Sequence, residues 1–373
     1  MADGRWRMAL ACCALLFSAC REKEKNVLPP PDSIIGDIEL DEIHGPNLLS
    51  LARGASVVSR TAELTLENSA THSIDGDWLT FWRSPPGGAE QTIIFSLAAR
   101  ARIDRLGVIT PQSGNEAPSK VRFEASDDGV TWREIATLDL KAQRDPQLTN
   151  VTPFDTTYLR VQTIAGTYYS AIHSLIAMGR EIAPPRQPPI EGCWEINGLP
   201  ARFAQRGTSV FGVIGSDPPM YVSGGADGRT IRLQWLRGAM WGPAIITLDP
   251  QRRALSGEKW HESVREQNAG QGWFGTPSQC NDVAFDETEI AAAILKRAGK
   301  WVAYGDSALD TIAALIARAP AQQIQVTAPN AGRLAAVRAK VGRSSRVELT
   351  VATPKTLNET QRVIADGVAL RVR

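Results

Sequence analysis

Four histidines and five cysteines among 373 residues supply little material for a transition-metal or thiol enzyme. Trp260-His261-Glu262 sets a histidine beside a carboxylate, but neighbouring strand residues point to opposite faces. The pair is therefore neither a ligand set nor an acid–base couple. The sequence has no GxSxG elbow, P-loop or HExxH helix, and nothing pairs a serine or cysteine with a histidine. Carboxylates scattered among 40 acidic residues do not define a glycosidase pair. Lys and Arg number 41, a net charge of +1, so no basic excess exists to neutralise phosphates and no nucleic-acid partner is expected. With 43% hydrophobic and 22% charged residues, the chain reads as a globular protein of two or three domains. This composition leans toward binding and scaffolding, with no organic cofactor and no enzyme expected.

At the amino terminus, Arg5 and Arg7 precede a 12-residue apolar run, Met8–Ala19, too short to span a bilayer and suited to a signal peptide. Its end, Leu-Leu-Phe-Ser-Ala-Cys, resembles the lipobox of bacterial lipoproteins, with Phe17 where that family usually has Leu. The resemblance implies cleavage after residue 19 and lipidation of Cys20; the alternative is a plain secretory signal. Arg21 after the cysteine resembles an outer-membrane address, so the expected location is a lipid-anchored outer-membrane protein facing the periplasm or the cell surface. Removing Asp3, Arg5 and Arg7 leaves the two signs of charge in balance, so attachment would depend on lipid. Cys12 and Cys13 would leave with the signal. Cys193 and Cys280 then remain as a disulfide in an oxidising compartment, or as two buried thiols.

Residues 20–46, with a charged run and the triplet Pro29-Pro30-Pro31, suit a lipidated tether, and the Pro-rich 183–189 marks a linker. The expected architecture is multidomain: an all-β unit at 47–182, a small antiparallel β-barrel at 190–283, and an α/β unit at 284–373. In the first, 91–97, 102–110, 120–126, 131–135 and 157–164 read as strands, and Asp127-Asp128-Gly129 as a hairpin turn. Its ordered segments Ser73–Trp82, Pro118–Trp132, Thr157–Gln162 and Ile172–Ile182 resemble the discoidin, or coagulation-factor type C, domain. That family is a jelly-roll sandwich and includes bacterial carbohydrate-binding modules.

In the second unit, Ile231, Leu233 and Trp235 alternate with polar residues, and the run of short strands has the look of a lipocalin-like barrel stapled by its two cysteines. In the third, Leu309, Ile312, Leu315 and Ile316 have helical spacing and 323–327, 346–351 and 367–373 read as strands. This order resembles the OmpA-like periplasmic domain, whose LSxxRA segment Leu334, Arg338 and Ala339 match. The family's acidic TDxxG loop is replaced by residues 327–332, and its closing NRR is absent.

The discoidin resemblance implies a structural Ca2+ held by Asp75, Asp77, Thr80 and Glu181; the competing reading is an acidic turn in which Asp75 caps backbone amides. It also implies ligand readout from loops at one end of the sandwich, through Trp78, Arg83, Tyr168 and His173. Trp82 and Trp132 read as packing. Arg338 is a weak candidate for peptidoglycan, against a solvated helix arginine. The leading expectation is an outer-membrane lipoprotein that binds glycan or another cell-envelope polymer, its OmpA-like end resting against the wall. One rival is a non-catalytic subunit or spacer of an envelope protein complex. The other is an enzyme acting in the mouth of the middle barrel.

Overall fold

The computed structural model describes residues 46–373 apart from 78–79, 88–89, 166–167, 262–269, 281–283, 298–300, 304–306, 319–322, 329, 343–346, 352–367 and 373. Cys20, the signal and the tether up to residue 45 lie outside the described residues, as do Trp78 and Glu262.

The first unit is a β-sandwich. Its main sheet runs β1 (Ser56–Arg60), β3 (Gln91–Ile109), β6 (Gln147–Ala165), β4 (Lys120–Ser126) and β5 (Arg133–Asp139), with β8 (Ser174–Glu181) also on β3. The sequence predicts two strands over 91–110, but the structure has one. Two register shifts against β6, between Ser96 and Ala101 and between Ile103 and Arg105, let it bend without breaking. The Asp127–Gly129 turn joins β4 to β5 as read from sequence. Asp128 accepts from the backbone N–H groups of Val130 and Thr131, which holds its carboxyl well below the ordinary range. A two-stranded ribbon, β2 (Trp82–Arg83) and β7 (Ala171–Ile172), closes one end. Trp82 is fully buried beneath it, so its reading as packing holds.

The second unit is a closed eight-stranded antiparallel barrel, β9 (Gly192–Ile196), β10 (Leu199–Arg206), β11 (Ser209–Ile214), β12 (Met220–Ala226), β13 (Ile231–Arg237), β14 (Met240–Leu248), β15 (Leu255–Lys259) and β16 (Gln271–Pro277), each paired with the next and β16 with β9. Gly270, Gly272 and Gly275 have the spacing of a dinucleotide-binding loop, yet they lie on or beside strand β16, so that motif carries no phosphate site. Strand alternation sends Trp194, Phe203, Trp235 and Trp273 into the interior, which they fill with aliphatic neighbours. Cys193 and Cys280 are disulfide-bonded, Cα atoms 5.1 Å apart, beside the β16–β9 seam.

The outside of the barrel is buried twice. On one flank Phe211 and Val213 of β11 pack against α1 (Glu287–Arg297) and α2 (Ser307–Arg318) of the third unit, in one core with Val337 of α3 (Ala331–Val341), which lies against α2 and the unit's own sheet. That unit has a sheet ordered β17 (Trp301–Ala303), β20 (Val368–Val372), β18 (Ile324–Ala328), β19 (Val347–Val351), with β18 and β19 parallel. Thr208 donates to Asp310 (2.9 Å) and Tyr221 to Glu289 (2.6 Å) across the contact.

On the other flank Ile245 and Trp260 join the core of the first unit. Ser256 Oγ accepts from Val57 N (2.8 Å), and Arg229 forks onto Glu181 at 2.5 and 2.6 Å. The approach is close enough to require glycine: a Cβ on Gly272 would lie 2.1 Å from that of Ser69. Gly54, at φ +91°, would place one 2.7 Å from the Arg229 carbonyl.

Candidate functional site

Three loops meet at the ribbon end of the sandwich, and backbone hydrogen bonds bind them to one another. Ser84 N donates to Ser170 O (2.8 Å), Ser170 N to Ser84 Oγ (2.9 Å), Gly87 N to Tyr168 O (2.9 Å) and Ala171 N to Glu116 O (2.8 Å). A short turn from Ser113 to Ala117 brings Glu116 under the ribbon. Four side chains follow from this framework. Arg83 forms an ion pair with Glu116, and its guanidinium lies 4.2 Å from the Tyr169 ring centroid. Tyr169 in turn meets Tyr168 edge to face, centroids 4.8 Å apart. Tyr168 is 62% exposed, a large aromatic surface on this loop cluster.

An exposed aromatic next to paired donor and acceptor charges is suited to a polyhydroxylated ligand. The ring offers a face to C–H bonds, and Arg83 and Glu116 offer hydrogen bonds to hydroxyls.

Of the loop contacts expected from sequence, Tyr168 and Arg83 lie here and Trp78 is outside the described residues. His173 is a correction. It is 5% exposed, its Nδ1 lies 2.7 Å from the Thr80 carbonyl, its ring meets Phe81 edge on, and burial depresses its pKa. It holds the ribbon together from below. Glu116 and Tyr169 are the members that sequence reasoning missed. Tyr169 adjoins the expected Tyr168, but Glu116 sits in a loop whose proximity to Arg83 only the fold reveals.

The four residues expected to hold calcium do not converge as a set. Asp75, Asp77 and Thr80 are together: Asp75 accepts from Thr80 Oγ1 (2.6 Å) and from Asp77 N (2.9 Å). Glu181 is instead held in the fork from Arg229, which keeps its carboxyl below the ordinary range. The Thr80 carbonyl is engaged by His173. Asp75, Asp77 and Thr80 thus stay together in one loop, and Glu181 is not among them. The buried neighbours of Asp75 are of another kind, His72 and Glu258. Burial, then the charge of Glu258, raises Asp75 well above the ordinary carboxylate range. Burial alone would lower His72, but the negative charge of Glu258 holds it above its usual value.

In the third unit, Arg338 is exposed on α3 next to buried Val337. Asn330 caps that helix by accepting from Arg333 N (2.8 Å).

Residues 56–175 match the model of the F5/8 type C domain, so the discoidin-like unit is of that type. Solved structures similar to this chain include the C-terminal domain of a chitobiase from Bacteroides fragilis, 26% identical with a TM-score of 0.33, covering 35% of this chain and 95% of that one. A family 32 carbohydrate-binding module of NanJ from Clostridium perfringens, in complex with galactose, is 18% identical with a TM-score of 0.30, covering 33% and 98%. A chitosan-binding module of a chitosanase/glucanase from Paenibacillus sp. IK-5 is 21% identical with a TM-score of 0.31, covering 36% and 99%. No curated protein matches the chain.

Proposed function

We propose that the first unit is a glycan-binding module and that the chain holds it at a bacterial outer membrane through lipid on Cys20. Tyr168 carries this reading: a ring 62% exposed on a loop cluster fixed by backbone hydrogen bonds, with the Arg83–Glu116 pair close by through Tyr169. The F5/8 type C match of residues 56–175 supports it. Binding would be shallow, by stacking and hydrogen bonds, and tethering would raise its effective concentration at the surface. Grip rather than turnover is the proposed role, with the barrel as a packed spacer and the OmpA-like unit toward the cell wall. Titration of the chain with galactose-terminated and chitosan oligosaccharides tests the module, and binding to neither class, nor to any glycan on an array, would refute it. Fatty-acid labelling that persists in Cys20→Ser would refute the anchor.

A further inference from the structure

Among the described residues, one cluster joins three metal-ligating side chains from two domains, and neither the sandwich nor the barrel could make it alone. His72 lies in the 3-10 turn Ala70–Ser73, Asp75 follows that turn, and Glu258 comes from strand β15 of the barrel. One ligand atom from each lies within 4.8 Å of the other two, and the residues are 0%, 2% and 1% exposed. His72 Nε2 is 2.8 Å from Glu258 Oε1 and also 2.8 Å from the Gly270 carbonyl.

Two features suit this cluster to a cation. Glu258 Oε1 is fully buried and 2.8 Å from His72 Nε2, but the N–H there is directed at the Gly270 carbonyl, and among the described residues no other donor reaches that oxygen. A buried carboxylate oxygen without a donor is rare and is a natural ligand for a cation. Charge gives the second feature. Two buried carboxylates face one imidazole, and among the described residues no Lys or Arg pairs with either acid. A divalent ion would balance both carboxylates while leaving the imidazole neutral. The outer shell is also in place, because Thr80 Oγ1 and Asp77 N hold both oxygens of Asp75 in a fixed orientation.

We propose that His72, Asp75 and Glu258 form a zinc site that clasps the first domain onto the barrel. A mixed set of imidazole and carboxylates selects zinc or a neighbouring transition metal over calcium, which takes oxygen alone. The site shares only Asp75 with the calcium set implied by the family resemblance, and it is independent of glycan binding.

The test is elemental analysis of the untagged whole chain, equilibrated with zinc and passed over a desalting column. The expected result is one zinc per chain, a thermal midpoint that falls on chelation and recovers with zinc, and affinity lower by about 100-fold or more in His72→Asn and Glu258→Gln. If Glu258→Gln does not fold, the cobalt-loaded wild-type chain decides the matter: visible d–d absorption with an imidazole ligand supports the site. No stoichiometric metal and no shift of the midpoint would overturn it, as would full zinc retention in His72→Asn.

Discussion

Reduction of the Cys193–Cys280 bond is the perturbation whose size follows most directly from the structure. The bond spans 87 residues of sequence and brackets all eight barrel strands. In the chain-entropy account, cross-linking a loop of that length costs the unfolded chain about 15 cal/mol/K, or about 4.6 kcal/mol at 25 °C. The barrel needs that support at its closing seam, where β16 and β9 are in register over only Gly275–Ile196, Thr276–Glu195 and Pro277–Trp194. With a urea m-value of about 2–3 kcal/mol/M, reduction should move the unfolding midpoint down by about 1.5–2.3 M. Tryptophan fluorescence reports it, because Trp194, Trp235 and Trp273 are barrel-interior probes. Cys193→Ala/Cys280→Ala without reductant should reproduce the shift. A midpoint that moves by less than about 0.3 M in both experiments would refute the view that the bond closes the barrel.

Other consequences can be checked on the same protein. Gly272→Val should drive the Ser69 turn off the barrel and split one melting transition of the first two units into two, read by calorimetry. Because Arg229 holds Glu181 below the ordinary carboxylate range, the stability it contributes is full above an unfolded pKa of about 4.3 and is lost as pH falls through the folded value. The gap in melting temperature between wild type and Glu181→Gln should therefore be present at pH 7 and close toward pH 3. His173→Phe leaves the buried Thr80 carbonyl without its partner and should cost about 1–3 kcal/mol in chemical denaturation while glycan affinity of the folded protein is unchanged. A large loss of affinity without loss of stability would instead return His173 to the ligand surface.

The parts of the fold that rest on local periodicity were legible in the sequence. KVRFEAS reads as a strand and is β4, residue for residue, because its alternation and the following Asp-Asp-Gly turn agree. The long β3 reads as two strands because its bulges interrupt the alternation near Ala98 and Ala99, both buried. β17, three residues between helices, carries too few positions for a period to show. The site divides the same way. Tyr168 stands out as an aromatic in a turn-rich loop, whereas Glu116 gains its meaning from Arg83, 33 residues away. The fate of Glu181 was hidden for the same reason. Its partner Arg229 belongs to another domain, and docking between domains leaves no periodic trace in either chain segment. Glu258 looks like a solvent-facing strand residue in LSGEK until the first unit covers it.

The most direct test of glycan recognition is an array probed in parallel with the wild-type chain and Tyr168→Ala. Loss of one aromatic stacking contact, worth about 0.5–1.5 kcal/mol, should lower affinity about 2- to 13-fold for a glycan class that the wild type retains, with the melting temperature unchanged. Equal signals from the two proteins, or a blank array for both, would contradict the account.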